Sequence, residues 1–487
     1  MKAGSFALAD ILPSDAKLVS GSGQSSVRGV TADSRQVEPG YIFVAVPGTR
    51  LDGARFVPQA LAAGAVAVVA EKVPDGVPRD VAAIEVPDVR VALSHIAARL
   101  FPKQPNALVA VTGTSGKSSV VSFTRQIWEQ LGLAAASLGT LGVTAPGAST
   151  YGSLTTPDPV TLHRTLDRLA SEGVTHAAFE ASSHGLDQHR LDGLRLTAAA
   201  FTNLSRDHLD YHPDLESYFA AKLRLFTELL PSGAVAVVDA DSAEGRRVAE
   251  VAEARGLRVL SVGFQGDDLK ITTLERSGFS QRLVIEAGGR SREIDFPLVG
   301  AFQVSNALVA AALAIGAGAD LEQVLGTIPG LTGVSGRLDN AGVYAGAPIF
   351  IDYAHKPDAL AHALGALRPY ADRHLVVVFG AGGDRDHGKR PEMGRIAAEM
   401  ADRVIVTDDN PRTEDPAAIR AAILAAAPGA REIGDRGEAI ATAISELKEG
   451  DVLLIAGKGH ETGQIVGDRT LPFSDHEAVE MVLEKAR

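Results

Sequence analysis

Short apolar runs separated by polar turns recur along the whole chain, and three sections of it differ in how these runs are arranged. In the first hundred residues the runs predict short strands at 41–46, 65–70 and 81–86, between Gly/Pro turns and alanine-rich helical pieces. After the connector FPKQPN, apolar runs lead into polar loops and then helices, which is the alternating pattern of an α/β fold. This pattern begins afresh after VSGRLDN. We therefore predict three domains, with bounds 1–103, 104–335 and 336–487.

Four apolar runs in the last section predict parallel strands of one sheet. They lie at 349–351, 375–379, 404–407 and 452–456, and each leads into a polar loop. Because the carboxyl ends of parallel strands meet at one sheet edge, the four loops would share that edge. Ordinary surface turns rich in Gly, Asp and Asn are the alternative. On the first interpretation, residues far apart in the sequence form one site.

Length and composition describe a multi-domain globular protein. A chain of 487 residues is too long for one core, and its 45% hydrophobic and 22% charged residues are ordinary for a globular protein. With 47 Lys and Arg against 60 Asp and Glu, the net charge of −13 argues against a nucleic acid as main partner. No apolar run is long enough for a membrane span, and the N-terminus lacks a signal-peptide core, so a cytoplasmic protein is expected. The absence of cysteine excludes thiol chemistry and Cys-ligated zinc.

The segment NALVAVTGTSGKSSVVSF predicts a phosphate-binding loop. Residues 107–111 form an apolar strand pattern and Ser118 can begin a helix, so the polar part lies at a strand-to-helix turn. Glycines let the backbone approach an anion, helix N-terminal amides point at it, a lysine adds charge and a hydroxyl can bind magnesium. The loop is shorter than the common pattern, which has a glycine where Val111 stands. An ordinary Gly/Ser turn is the alternative; we favour nucleotide binding.

Three further segments carry candidate groups for chemistry at this loop. Glu180 ends an apolar run, where phosphate-loop proteins keep an acid near magnesium, although acids also often cap strands. SRDHLDYH contains two histidines but no clear third zinc ligand, so we prefer His208 at the edge of a magnesium site. Lys222 lies in a helical stretch with apolar neighbours. That pattern alone suggests a lysine whose side chain extends along the surface.

The loops at the predicted sheet edge carry charged groups of both signs. Arg390 and Arg412 suit bidentate binding of a carboxylate, and Glu461 suits an ammonium group. A substrate that carries both charges is implied.

Many motifs occur in an order that resembles one family over essentially the whole chain. They are DSRQVEPGYIFVAVPG, GTSGKSS, TTPDP, EASSHGLDQHR, TNLSRDHLDYH, GRLD, DYAHKPDAL, GGDRDHGKRPEMG, DDNPRTEDP and AGKGHE. The chain resembles the Mur ligases of peptidoglycan synthesis, and among them the members that add meso-diaminopimelate. The resemblance implies a central P-loop-like mononucleotide-binding ATPase domain and a C-terminal Rossmann-like domain. It also implies action as a monomer on three substrates: ATP, meso-diaminopimelate and UDP-MurNAc-L-Ala-D-Glu.

The resemblance further implies roles around the nucleotide. ATP would contact residues of the loop and of later segments, namely Gly113, Thr114, Ser115, Gly116, Lys117, Ser118, Ser119, Asn306, Arg337, Asp352 and His355. Mg²⁺ would lie near Ser118, Glu180, His208 and Lys222, with Lys117 also catalytic. Lys222 matches the family lysine that reacts with carbon dioxide, so N6-carboxylysine is implied there in place of a surface lysine. The family loop usually has asparagine at Ser115 and threonine at Ser118.

Two more sets of positions follow from the resemblance. The uridine-linked substrate would contact Ser34, Thr49, Arg50, Thr155, Thr156, Ser182, Gln188 and Arg190. The amino acid would contact Arg390, Asp409, Asn410, Pro411, Arg412, Gly457 and Glu461. DNPR resembles the signature of the diaminopimelate-adding members. Binding lysine instead would leave Arg412 unpaired, at a cost of about 2 to 4 kcal/mol.

The implied reaction is ATP-dependent amide formation through an acyl phosphate. Three alternative functions are less consistent with the sequence. Folylpolyglutamate synthetase is a related amide ligase, but it gives no account of the early DSR segment or of DNPR. A nucleotide-dependent switch or transporter ATPase would carry an NKxD or transporter signature, and we find neither in the sequence. A catalytically dead relative is opposed by the presence of Lys117, Glu180, Lys222 and Arg412.

Overall fold

The computed structural model describes residues 6–48, 52–150 and 154–486. The chain forms two compact units. The first comprises 1–271, 286–290 and 306–327, and the second comprises 272–285, 291–305 and 328–487. The three-domain bounds drawn from the sequence stay a prediction.

The N-terminal part of the first unit contains a five-stranded sheet in the order β2-β7-β6-β5-β4. Only β2 runs antiparallel to its neighbour; the other pairs are parallel. The predicted strand at 41–46 ends earlier because the backbone of Val46 bonds back to Val44. The elements are β1 Phe6–Ala7, α1 Leu8–Ile11, β2 Lys17–Ser20, β3 Ser26–Val27, β4 Gly29–Thr31, β5 Tyr41–Val44, α2 Val57–Ala62, β6 Ala67–Ala70, β7 Ala82–Glu85 and α3 Val89–Leu100.

Residues 107–263 of the first unit contain strands of a second sheet, in which β9, β12, β8, β13, β14 and β15 are neighbouring parallel strands. All six residues of β8 are buried, as expected for an apolar strand covered on both faces. The elements are β8 Ala107–Thr112, α4 Lys117–Gln130, β9 Ala135–Gly139, β10 Gly142–Ala145, β11 Ala148–Thr150, α5 Pro159–Ser171, β12 His176–Glu180, α6 Ser183–Asp187, β13 Ala198–Phe201, α7 Leu215–Arg224, β14 Val235–Asp239, α8 Ala243–Ala254 and β15 Arg258–Gly263.

Three strands and two helices follow in the chain. The strands β16 Leu269–Ser277, β17 Ser280–Ala287 and β18 Arg290–Phe296 neighbour one another in sequence order. The helices are α9 Ala301–Gly316 and α10 Leu321–Thr327.

The second unit contains a six-stranded sheet in the order β19-β20-β24-β21-β22-β23. All neighbours except β19 and β20 are parallel, which confirms the prediction that the four apolar runs share one sheet and end at one edge. The elements are β19 Asp339–Tyr344, β20 Ala347–Asp352, α11 Pro357–Leu367, β21 Leu375–Phe379, α12 Lys389–Met400, β22 Arg403–Val406, α13 Pro416–Leu424, β23 Arg431–Glu432, α14 Arg436–Ser445, β24 Val452–Ala456, β25 Gly463–Val466, β26 Arg469–Pro472 and α15 Asp475–Ala486.

Apolar side chains form two separate clusters in this unit. One cluster contains residues of α11, α12 and α13, and the other contains residues of α14 and α15. Both include strand residues, so the sheet is covered on both faces, as in a doubly wound α/β fold. In the part of the chain that the structure describes, none of the helices combines the length and apolar character that crossing a membrane requires.

Candidate functional site

The loop between β8 and α4 requires glycine at two positions. Gly113 and Gly116 have φ of 140° and 88°. A Cβ on Gly113 would lie 1.9 Å from the Thr202 hydroxyl, and one on Gly116 would lie 2.4 Å from Oδ1 of Asn306. Because φ is positive at both positions, a side chain at either glycine would strain the backbone and would also have to displace Thr202 or Asn306. The same contact places Asn306, a predicted nucleotide residue, directly beside the loop.

Asn203 forms three hydrogen bonds to backbone atoms of this loop. Its carbonyl accepts from Thr114 N at 2.8 Å, its Oδ1 accepts from Ser115 N at 3.0 Å, and its Nδ2 donates to Ser115 O at 3.3 Å. The Ser115 bonds use main-chain atoms, so the serine in place of the usual asparagine does not remove them. Sequence reasoning did not select Asn203, although it follows β13, the neighbour of β8 in the sheet.

Lys117 begins α4 and folds back over the loop. Its Nζ donates to the carbonyl oxygens of Gly113 and Thr114, both at 2.9 Å. The first turn of α4 also carries Ser118 and Ser119, which are buried. A helix N-terminus with a lysine beside it favours a bound anion. The geometry therefore suits the phosphates that the sequence predicted.

Ser118 and Glu180 lie in contact at the end of the loop. The Ser118 hydroxyl donates to Glu180 Oε1 at 2.9 Å, and Thr140 donates to the same carboxylate through its N at 2.8 Å and its Oγ1 at 3.2 Å. Glu180 is 2% exposed. A hydroxyl and a carboxylate are hard oxygen donors, and Mg²⁺ in nucleotide sites commonly uses few protein ligands together with phosphates and water. These residues fit that ion.

Lys222 is buried, so the interpretation of a surface lysine is wrong. The residue is 1% exposed, and its Nζ donates to Gly113 O at 2.8 Å and lies 4.2 Å from the ring centroid of Tyr218. The Tyr218 hydroxyl lies 3.2 Å from Thr114 Oγ1. The ring of His208 lies 6.0 Å from that of Tyr218. α7 thus brings Lys222 against the phosphate loop. His208 lies beside Tyr218, which separates it from the loop.

Several residues predicted for the uridine-linked substrate are joined by hydrogen bonds. Thr156 Oγ1 donates to Glu180 O and accepts from Ser182 N, at 2.8 Å and 2.9 Å. Arg190 donates to Thr156 O at 2.6 Å and to Gln188 Oε1 at 2.7 Å. These residues therefore form one network that reaches the acid beside the phosphate loop.

Among the remaining residues of that set, Thr155 adjoins the same network through Thr140, a partner of Glu180, and the others lie elsewhere or outside the described residues. Thr155 Oγ1 is 3.0 Å from Thr140 Oγ1. The Ser34 hydroxyl donates to Gln59 Oε1 at 3.0 Å. Thr49 and Arg50 lie outside the described residues.

In the second unit, the predicted nucleotide residues Arg337, Asp352 and His355 lie near the carboxyl end of β20, of which Asp352 is the last residue. Asp352 accepts from the backbone N of Leu338 at 2.7 Å and of Ala354 at 2.8 Å. Burial raises the pKa of Asp352 to about 6, while the nearby Arg337 opposes that rise. His355 Nδ1 lies 2.8 Å from the carbonyl of Tyr353, and burial lowers the pKa of this histidine to about 4. His355 is therefore neutral at pH 7.

The DNPR segment follows β22 and is held by the β25–β26 hairpin. Arg412 has φ of 53°, an uncommon value for a residue with a side chain. Its N donates to Ile465 O at 3.0 Å, and its carbonyl accepts from Gly467 N at 2.7 Å. Gln464 Nε2 donates to Asp409 O at 2.7 Å. The hairpin thus fixes the backbone of the segment that carries Arg412.

Arg390 and Arg412 both bind the loop after β21. Arg412 Nη1 donates to Gly383 O at 2.8 Å, and a Cβ on Gly383 would meet the carbonyl of Pro411. Arg390 donates through Nη2 to Gly382 O at 3.4 Å and to Glu414 at 2.8 Å. Arg390 is 4% exposed, whereas Arg412 is half-buried. The sequence predicted that both guanidiniums bind a carboxylate of the substrate; in the structure Arg390 is paired with the carboxylate of Glu414.

Glu461 lies in the loop after β24, beside Asn410. Asn410 Nδ2 donates to Glu461 Oε2 at 2.9 Å, and Lys458 Nζ donates to the same oxygen at 3.0 Å. Gly457 has φ of 119°, and a Cβ there would lie 2.5 Å from Asp409 Oδ2. Sequence reasoning passed over Lys458, although it stands between two of the selected residues.

Comparison with protein families gives three consecutive matches. The Mur ligase family catalytic domain matches residues 26–100, the Mur ligase middle domain matches 111–314, and the Mur ligase glutamate ligase domain matches 336–459.

Whole-length relatives agree with these matches. A protein of Bradyrhizobium diazoefficiens named UDP-N-acetylmuramoyl-L-alanyl-D-glutamate–2,6-diaminopimelate ligase is 60% identical over 98% of this chain and 99% of its own. A protein of Mesorhizobium japonicum with the same name is 55% identical over 98% of each chain. A solved structure of an enzyme of that name is 34% identical, covers 99% of each chain and has a TM-score of 0.74. The chain therefore belongs to the Mur ligase family.

Proposed function

We propose that the chain is an ATP-dependent amide ligase. It adds meso-diaminopimelate to the D-glutamyl side-chain carboxylate of UDP-N-acetylmuramoyl-L-alanyl-D-glutamate, in cytoplasmic synthesis of the peptidoglycan precursor. The observation that carries the proposal is the 60% identity, over nearly the full length of both chains, to a relative named for this reaction. The proposed organisation is a substrate domain at 1–103, an ATPase domain at 104–335 and an amino-acid domain at 336–487, acting as a monomer.

The phosphate loop is the proposed site of ATP. Lys117 and the amides at the start of α4 would contact the phosphates, since they surround the Gly113–Ser118 turn. Mg²⁺ would be held by Ser118 and Glu180, and when bound it neutralises phosphate charge. Asn306 lies against the loop at Gly116. Arg337, Asp352 and His355 are proposed to contact the nucleotide as well.

Lys222 is proposed to act as a carbamate. The neutral amine adds to carbon dioxide and releases a proton, which converts a cation into an anion. Two cations, Lys222 and Lys117, donate to the same carbonyl oxygen of Gly113. Conversion of the buried lysine to an anion would remove a like charge beside Lys117 and supply oxygens for a magnesium site.

The amino acid is proposed to bind at the carboxyl edge of the second unit's sheet. Arg412 would pair with the distal carboxylate of meso-diaminopimelate, which lysine lacks, and Glu461 would accept from an ammonium group. Asp409, Asn410 and Gly457 shape the same loops. Arg390, through its bonds to Gly382 and Glu414, keeps the neighbouring loop in place.

The reaction proceeds in two steps. An oxygen of the glutamyl carboxylate attacks the terminal phosphorus of ATP, the bond to the bridging oxygen breaks, and ADP leaves. The amine of the amino acid then attacks the acyl carbon and loses a proton as the bond to phosphate breaks. Lys117 stabilises charge on the transferred group, and the protein contributes mainly by positioning.

The experiment that tests this function follows phosphate release from ATP in the presence of Mg²⁺ and the uridine-linked dipeptide. Release that depends on meso-diaminopimelate, and is far slower with L-lysine, is expected. Equal rates with the two amino acids would contradict the role of Arg412, and no release with either would contradict the proposed reaction.

A further inference from the structure

Lys458 is a buried cation with two side-chain partners. The residue is 0% exposed, and its Nζ donates to Asn410 Oδ1 at 3.1 Å and to Glu461 Oε2 at 3.0 Å. Removing an ammonium group from water is costly unless it is paired and hydrogen-bonded. Its two partners belong to the two loops proposed to bind the amino acid.

These three side chains form a closed triangle. Asn410 Nδ2 donates to the same Glu461 oxygen, at 2.9 Å, that accepts from Lys458. Asn410 is 4% exposed, whereas the side chain of Glu461 is 27% exposed. Two buried donors therefore fix one oxygen of a carboxylate that keeps part of its surface open. The direction of that carboxylate depends on Lys458 and Asn410.

The triangle is also connected to Arg412. Asn410 Oδ1 accepts from Lys458 and from the backbone N of Ile465, the latter at 2.9 Å. The carbonyl of Ile465 accepts from Arg412 N. A short path of hydrogen bonds thus joins the Lys458 ammonium to the backbone of Arg412, whose φ of 53° requires support from its surroundings.

We propose that Lys458 is a positioning residue for the amino-acid substrate. It acts through Asn410 and Glu461, and it sets the placement of the Glu461 carboxylate relative to Arg412. An amino acid with a charged group at each end needs both protein charges at a fixed separation, because small misplacement of a binding group lowers the rate strongly. This inference rests on the proposed function and adds a residue that does not itself touch the substrate.

The test compares Lys458→Met with Lys448→Met. Methionine keeps much of the length of the lysine and removes the ammonium, and Lys448 is an exposed lysine of the same unit. We expect Lys458→Met to raise the KM for meso-diaminopimelate about tenfold or more, with the KM for ATP and for the uridine-linked dipeptide within about twofold of wild type. Lys448→Met should leave all three unchanged. A uniform change in the three values, or none, would overturn the proposal.

A double-mutant cycle separates positioning from a general structural effect. If Lys458 acts through Glu461, then Lys458→Met should add little to the defect of Glu461→Gln, whereas multiplication of the two defects would overturn that coupling. Should Lys458→Met fail to fold by circular dichroism, Lys458→Gln, which keeps a donor, is measured against the same criteria. Wild-type protein without diaminopimelate-dependent phosphate release would refute the proposed function instead; an active wild type with an unaffected Lys458 variant refutes only this inference.

Discussion

The guanidinium groups of Arg390 and Arg412 donate to the carbonyl oxygens of two consecutive glycines, Gly382 and Gly383, at 3.4 Å and 2.8 Å. Both arginines are therefore attached to the loop that follows β21. Arg390 is buried and paired with Glu414, while Arg412 is more exposed. On the proposed function, Arg390 would support this loop and Arg412 would bind the substrate.

The pairing of Arg390 with Glu414 predicts a pH-dependent contribution to stability. The hydrogen bond from Arg390, followed by one from Asp384 N, lowers the pKa of Glu414 to about 2. Because this pKa lies below its value of 4.5 in the unfolded chain, the carboxylate stabilises the fold above pH 4.5, and this contribution is lost as the pH falls toward 2. Glu414→Gln should lower the free energy of unfolding at pH 7, and by less at pH 3.

Denaturant unfolding at the two pH values measures this difference. Glu480→Gln, at an exposed position of α15, is the control and should change stability little at either pH. An equal loss for Glu414→Gln at pH 7 and pH 3 would show that the carboxylate does not carry the effect.

We predict that adding a methyl group at Gly457 impairs binding of the amino acid. Gly457→Ala places a Cβ 2.5 Å from Asp409 Oδ2 and keeps φ of 119°. Gly429→Ala, with φ of 82° and nothing within 4 Å of the new Cβ, is a matched control for backbone strain. Both should lose about 1 to 3 kcal/mol of stability. Only Gly457→Ala should raise the KM for meso-diaminopimelate; an equal KM for both variants would be inconsistent with this contact.

We predict that loss of the Asn203 side chain impairs binding of ATP and of no other substrate. Asn203→Ala removes the two side-chain bonds to the backbone of Ser115, so the phosphate loop loses order. The KM for ATP should rise about tenfold, with that for meso-diaminopimelate unchanged. Steady-state kinetics decide this, with Asn106→Ala, at an exposed position before β8, as the control. An unaltered KM for ATP would mean that the loop is ordered without Asn203.

We predict that an added anion restores part of the activity of a variant that lacks Lys222. Lys222→Ala should abolish activity, and addition of a short carboxylic acid such as acetate should restore part of it, because the acid supplies the charge that the carbamate would carry. Phosphate release in the presence of acetate or of ethylamine provides the measurement. Rescue by ethylamine, and none by acetate, would show that the lysine works as a cation.

Sequence patterns were sufficient for the parallel sheet of the second unit. Fully apolar runs such as 375–379 and 452–456 indicate strands buried on both faces, and such strands place the loops that follow them at one edge. The glycine-rich turn at 113–118 was also recognisable from the sequence, because its glycines and lysine lie close together in the chain. Periodicity predicted which strands exist. Their observed ends differ from the predicted ends by at most two residues.

Side-chain partners could not be read from the same patterns. Lys222 has the apolar neighbours of a lysine extending along the surface, and only its packing against Gly113 shows that it is buried. Asn203 bonds to Ser115 and Lys458 bonds to Asn410, and in both pairs the partner is distant in the chain, so no local period marks Asn203 or Lys458. Arg390 was predicted to bind substrate together with Arg412 because the sequence does not show that Arg390 pairs with Glu414.

The most direct measurement of the central claim is a competition between two amino acids. Wild-type protein is supplied with ATP, Mg²⁺, the uridine-linked dipeptide and equal amounts of meso-diaminopimelate and L-lysine, and the two products are counted by mass spectrometry. The account predicts almost only the diaminopimelate product, and a fall in this preference of tens- to hundreds-fold in Arg412→Met, since the distal carboxylate loses its partner. A wild-type ratio near one, or an unchanged ratio in Arg412→Met, would contradict it.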